Sequence, residues 1–185
     1  MKQFLHNPPL TYNGSELSSH FAYKNFGILG DSIIAFTGPC DVKSSHMVDL
    51  EDATQNLFIF SENMLHFIVE HFHFDLTTTI ALQRLLVTNV MDELTAQKTG
   101  LRLARSGNDI YDGKFKLSVS IATASPVSTL IHFGINISSR HTPVPTRGLE
   151  DYGLDATEIA LAVMKRYDAE VASLVKARTK VRGVS

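Results

Sequence analysis

The stretch Asn108-Asp109-Ile110-Tyr111-Asp112-Gly113-Lys114-Phe115-Lys116-Leu117-Ser118-Val119-Ser120-Ile121 decides how the rest of the chain is read. Polar and apolar residues alternate along it, and Asp112-Gly113 is the kind of pair that closes a tight hairpin, so strands are expected on both sides. Working outward, the same period of two runs from Phe115 to Ala124 and from Ser128 to Ser138, with Ser125-Pro126-Val127 as the turn between them. Before it lie Leu101 to Arg105 and a turn at Ser106-Gly107. Together these predict an antiparallel meander.

On either side of the meander the period changes. Asp75 is placed to cap a long helix reaching about Lys98, in which Leu76, Ile80, Leu86, Val90 and Leu94 recur at helical spacing and Gly100 provides the stop. A closing amphipathic helix is expected from Asp155 to about Val181, carried by Ile159, Val163, Tyr167, Val171 and Leu174. Between meander and helix, residues 139–148 are irregular, since Pro143 and Pro145 lack the N–H a ladder needs. Upstream, Asp31 to Thr37, closed by Gly38-Pro39, and Met64 to Phe72 read as strands. Ser15 is positioned to cap a short helix from Glu16 to Asn25, ended by Gly27 and Gly30. The expected class is α/β of the α+β kind, a mostly antiparallel sheet packed against helices.

With 185 residues and 44% hydrophobic side chains, the chain buries one sizeable core, and a single domain over 1–185 is expected. Its 17 basic and 19 acidic residues leave a net charge of -2, which offers no basic field for a nucleic acid polymer. Cys40 stands alone, so no intrachain disulfide forms and a cysteine-based zinc site lacks ligands, in keeping with a reducing compartment. The opening MKQFLHNPPL is unlike a signal peptide, and no run approaches the roughly 20 apolar residues of a membrane span. A cytoplasmic location without membrane contact is expected.

Alternation sorts candidate chemistry by face. Lys116, Ser118 and Ser120 share one face of their strand, and His132 and Asn136 share a face with Gly134 on the next. A hairpin closing at Pro126 brings the two sets to one surface, either a solvated sheet face or the lining of a small-molecule site. His66 and Glu70 also share a face, as acid and base toward a pocket or as a structural pair. His66 and His71 point to opposite faces, so the spacing of a helical metalloprotease motif is missing and no metal is expected. The run Asp49-Leu50-Glu51-Asp52 is a helix start or a magnesium ligand set, Cys40 a small buried hydrophobe or a nucleophile, and Thr142 to Arg147 a pocket rim or an inert crossing.

Residues 108–121 resemble the catalytic stretch of biotin protein ligases, which reads Asn-Asp-Ile-Tyr, a short turn, then Lys and a strand of small residues. His132-Phe133-Gly134-Ile135-Asn136-Ile137 is similar to the Gly-Ile-Gly-Ile-Asn-Val strand that follows in those enzymes. The resemblance covers roughly 60–140. It implies the biotin/lipoate protein ligase fold, Lys116 meeting a substrate carboxylate, Asp109 near the reacting centre, and pairing of two copies through their sheets as a homodimer. The ligases' Gly-Arg-Gly-Arg nucleotide loop has no counterpart between Gly38 and Asn63, which removes the donors and charges that grip ATP.

The whole chain is more closely similar to a domain-of-unknown-function family of archaea and bacteria related to that superfamily. The two share the segments at 49–52 (DLED), 64–72 (MLHFIVEHF), 116–128 (KLSVSIATASPVS) and 142–145 (TPVP). Through that family's association with 7-deazaguanine metabolism, the resemblance implies a cofactor-independent decarboxylase of a carboxylated deazapurine such as 7-carboxy-7-deazaguanine. Lys116, Asp109, His132 and Glu70 are the expected catalytic residues, and Asn108, Ser118, Ser120, Asn136 and His66 the expected binding residues. An ATP-dependent biotin- or lipoate-type ligase and a non-catalytic small-ligand-binding protein are the alternatives.

Overall fold

Strand β3, Ile59–His71, runs through the middle of the molecule, and its second half is buried on both faces. Such a strand needs a near-continuous apolar sequence, which Met64 to Val69 supplies around His66. The computed structural model describes residues 1–184 except 139, 141 and 143. Strands β2 (Ser32–Val42) and β8 (Thr129–Ser138) flank β3 antiparallel. β1 (Lys2–Leu5) joins β2 in parallel and β7 (Ser118–Ala124) pairs antiparallel with β8, giving the order β1-β2-β3-β8-β7. A second sheet consists of β4 (Ala104–Ser106), β5 (Asp109–Asp112) and β6 (Phe115–Lys116). Short helices α1 (Phe21–Phe26), α2 (Leu50–Thr54) and α4 (Leu149–Tyr152) accompany the long α3 (Leu76–Gln97) and α5 (Ala156–Thr179).

The two long helices begin where the sequence places their caps. Asp75 accepts the Thr78 N–H at 2.6 Å and Asp155 the Glu158 N–H at 2.9 Å, each satisfying one donor left open in a first turn. Both helices cover one face of the large sheet. There Leu65, Phe67 and Val69 of β3 and Ile131, Phe133 and Ile135 of β8 meet Leu86 and Val90 of α3 and Ile159, Val163 and Tyr167 of α5. Leu76, Ile80 and Leu174 lie outside this core, contrary to the spacing. Thr79 and Gln83 turn inward on α3 instead, because the sheet offers them hydroxyl partners in Thr129 and Ser120. The opposite face carries a second cluster, including Tyr12, Phe21, Ile34, Phe36, Cys40, Met64 and Ile68.

Four expectations are corrected. Gly38-Pro39 does not close β2, which continues to Val42 across a register shift; Pro39 sits at the bulge, where no ladder N–H is required. Gly38 also lets the chain pass so close to Leu10 that a Cβ there would overlap the Leu10 carbonyl. β3 begins at Ile59 rather than Met64. The first helix is confined to Phe21–Phe26, because Ser15 spends its N–H and hydroxyl on the Asn13 side chain at 3.0 and 2.7 Å instead of capping.

The fourth correction bears most on function. The meander is divided between two sheets: β6 ends at Lys116, and the chain crosses at Leu117 into β7. Leu117 lies in the helix-side core, yet Ser118 pairs with Ile135 and Ser120 with Phe133, so the serines face the helices too. Val119 and Ile121, paired with Gly134 and His132, take the other face. A slip of one residue exchanges the two faces of a strand, and here it separates Lys116 from the serines expected beside it.

Among the described residues no helix is long and apolar enough to cross a membrane.

Candidate functional site

A cavity of about 540 Å³ opens on the sheet face away from the long helices, within the range that holds a drug-sized ligand. Asp109 at the start of β5 and Lys116 at the end of β6 meet there, Nζ to Oδ2 at 2.7 Å. Their side chains are 23% and 29% exposed, so the pair is half-sheltered rather than a surface ion pair. Burial raises the Asp109 carboxyl above its ordinary range, and the negative charge of Asp52 adds to this; Lys116 opposes the rise without cancelling it. The main chain of Lys116 is tied to the following segment, its N–H donating to the Pro145 carbonyl at 3.0 Å and its carbonyl accepting from the Arg147 N–H at 3.3 Å. Arg147 stacks over the Phe115 ring at 4.3 Å and pairs with Asp112, which also accepts the Tyr152 hydroxyl at 2.8 Å.

Two buried histidines stand at the back of the cavity, His132 in its wall and His66 behind it. His66 Nε2 lies 3.2 Å from the Gly38 carbonyl and therefore carries the hydrogen, leaving Nδ1 to accept from His132 Nε2 at 3.1 Å. This chain assigns His132 a bare Nδ1. Burial pushes His66 down to about 4, and burial together with the neighbouring His66 puts His132 well below the usual histidine range, so both rings are neutral at pH 7. Tyr12 stacks on His132 with centroids 3.7 Å apart and planes 9° from parallel. Gly134 makes room for this arrangement: a Cβ on it would meet Met64 Cε at 3.0 Å and the His132 ring at 3.4 Å.

The structure brings Lys116, Asp109, Asn108, His132 and Asn136 to one cavity. Asn136 is held by the Ser61 hydroxyl at 2.9 Å, and Asn108 accepts from Arg84 Nε at 3.4 Å. Ser118 and Ser120 border the same space, but their hydroxyls are engaged elsewhere, Ser118 accepting the Ile110 N–H at 2.9 Å and Ser120 bridging Gln83 and the His132 carbonyl. Glu70 does not reach the cavity. Its carboxylate accepts the His20 N–H at 2.8 Å and the Ser128 hydroxyl at 2.6 Å, a structural role but not the expected pairing with His66, which stands behind His132 rather than on the wall.

Cys40 is fully buried and its thiol pushed up to about 12, which makes it a core residue and no nucleophile. Asp49 caps α2 by accepting from the Glu51 and Asp52 N–H groups, in keeping with a helix start. Among the described residues no group of three or more metal-ligating side chains converges. Of segment 139–148, residues 139, 141 and 143 lie outside the described residues, while Thr142, Val144 and Thr146 border the cavity as its rim.

Sequence reasoning missed one wall altogether. Tyr12, Val48, Leu57, Phe58 and Phe60 line the cavity without any motif to announce them, and the exposure of Val48, Leu57 and Phe58 is the nearest thing to a signal. The charge of the lining was also unforeseen. Among the described residues around it, Lys116 is the one Lys or Arg, against the carboxylates of Asp49, Asp52 and Asp109.

The fold is shared with the biotin protein ligase of Aquifex aeolicus in its apo form, at a TM-score of 0.60 and 17% identity, covering 92% of this chain and 69% of that one. A protein of unknown function from Pyrococcus horikoshi is much more similar, with a TM-score of 0.92 and 39% identity over 100% of this chain and 99% of its own. Among curated relatives, the uncharacterized protein MJ0805 of Methanocaldococcus jannaschii is 37% identical over 169 residues, 88% of this chain and 76% of its own. These likenesses accord with the biotin/lipoate ligase-like architecture described above. Matched over residues 1–182 by the family model described as Domain of unknown function (DUF366), the chain belongs to that family.

Proposed function

We propose that the protein is an enzyme acting on a small, flat heterocycle that bears a carboxylate, without ATP, with decarboxylation of a carboxylated deazapurine as the leading reaction. The Asp109–Lys116 pair beside the cavity carries the reading. A substrate carboxylate competes with Asp109 for the Lys116 ammonium, and Asp109, losing the one interaction that lowers its pKa and gaining an anionic neighbour, takes up a proton. Thus protonated, Asp109 is the general acid. Its proton goes to the ring carbon, the bond from that carbon to the carboxylate breaks, carbon dioxide leaves, and the Asp109 carboxylate is reprotonated from water. Glu70 is too far removed for this role, and neutral His132 is a poor proton donor but a good acceptor for positioning the ring.

The ligase-like fold favours a second reading, ATP-dependent activation of an organic acid. The lining weighs against it, since three carboxylates and one lysine make a poor seat for a triphosphate. Incubating the protein with 7-carboxy-7-deazaguanine, biotin or lipoate, with and without ATP, separates the readings. Carbon dioxide release without ATP, lost about a thousandfold in Lys116→Ala, is the expected result. Pyrophosphate release with an acid favours the ligase, and tight binding with no product on long incubation favours a binding protein. Undiminished turnover in Lys116→Ala removes the proposed mechanism.

A further inference from the structure

Three polar groups around the cavity have no hydrogen-bond partner among the described residues. The Asp52 carboxylate, on α2, makes no hydrogen bond or ion pair with any described residue. Its neighbour Asp49 carries the helix cap, so Asp52 is not needed for that task. The Tyr12 hydroxyl and His132 Nδ1 likewise find no hydrogen bond among the described residues, although Tyr12 and His132 are only 4% and 3% exposed. A carboxylate and an imidazole nitrogen accept and do not donate, and burial without a donor is costly for both. While the cavity holds water these groups are satisfied. A ligand that fills it must bring N–H groups of its own.

We propose that Asp52 is a specificity residue that takes an amidine-type N–H edge of the ligand, a ring N–H beside an exocyclic amine, with His132 Nδ1 as an auxiliary acceptor. Two parallel N–H donors match the two oxygens of one carboxylate, the geometry that makes such pairs strong. Lys116 and Asp52 then read different parts of one molecule, the first its carboxylate and the second its amino-substituted ring; the carboxylate half rests on the function proposed above, and the amino half does not. An analogue without the amine leaves the Asp52 charge desolvated and unpaired, which is the situation in which a site rejects a close isostere.

Calorimetry with three probes tests this: 7-carboxy-7-deazaguanine, its counterpart lacking the exocyclic amine, and 7-deazaguanine lacking the carboxylate. Wild-type protein is expected to prefer the amine-bearing acid over the desamino acid by about a hundredfold. Asp52→Asn and Asp52→Ala, checked for an unchanged melting temperature, bring that ratio close to one, while Lys116→Ala leaves it intact. If 7-deazaguanine binds as well as the acid and binding still depends on Asp52, the carboxylate reading fails and the amine reading stands. Equal affinity of wild type for both acids, a preference that survives Asp52→Ala, or binding of none of the three probes overturns it.

Discussion

The two faces of the large sheet are built from alternate residues of the same strands, yet they obey different rules. Toward α3 and α5, β3 and β8 present Leu65, Phe67, Val69, Ile131, Phe133 and Ile135, every one fully buried and apolar. On the opposite face, which holds the cavity at His132 and Asn136, the same two strands present His66, Glu70, His132 and Asn136, all at most 5% exposed. The first face is filled mainly by shape, with hydrogen bonds at one end, His71 to Tyr167 at 3.0 Å and Thr79 to Thr129 at 2.7 Å. The second needs a partner for each buried polar group, and it finds them one at a time: the Gly38 carbonyl for His66, the His20 N–H for Glu70, the Ser61 hydroxyl for Asn136. Stability is therefore concentrated on one side of the sheet and chemistry on the other, only a strand's thickness apart.

Substitutions on the two faces should separate accordingly. Phe133→Ala, on the helix side, is expected to cost about 4 kcal/mol in urea unfolding, since the packed core around it has no means of closing the void. A loss below 1 kcal/mol would mean that the helix side is not the stabilising half. Acid should act through the other face. With His66 held down to about 4 against an unfolded value near 6.5, the unfolded chain binds the extra proton first. Stability from this source is undiminished above about pH 6.5 and falls as pH drops toward 4, the total loss being about 3 kcal/mol. His66→Gln should flatten that slope, and an unchanged slope would clear the histidine pair of the effect. Glu70→Ala, which strands the His20 N–H and the Ser128 hydroxyl, is expected to cost about 2 kcal/mol while leaving affinity for a carboxylated ligand unaltered. A matching loss of affinity would return Glu70 to the site.

Much of this division is legible in the sequence, because caps and alternation are local. Asp75 and Asp155 announce α3 and α5, and the alternation from Leu130 to Ile137 is observed residue for residue in β8. Asn108, Asp109, Lys116, His132 and Asn136 border one cavity, although Lys116 reaches it from the second sheet and not from the strand face it was expected to share with the serines. What escaped depends on contacts remote in the chain. The change of sheet at Leu117 is set by its hydrogen bonds to Ile110 and Asn136, which no run of residues reveals, and it misassigned Ser118 and Ser120. Gly38-Pro39 has the composition of a turn, and only the pairing of Cys40 with Ser61 shows a bulge inside a longer strand. Tyr12 and the apolar segment near Phe58 reach the cavity by tertiary packing alone.

Lys116 sits in a clasp: β5 holds it on one side and the stretch from Pro145 to Arg147 on the other, the latter anchored in turn through Arg147, Asp112 and Tyr152. Its backbone is thus immobilised before any ligand arrives, and the freedom lost in fixing the root of the side chain is surrendered during folding rather than at encounter. Loosening the clasp at Asp112 or Tyr152, neither of which lines the cavity, would slacken the amine without touching its charge.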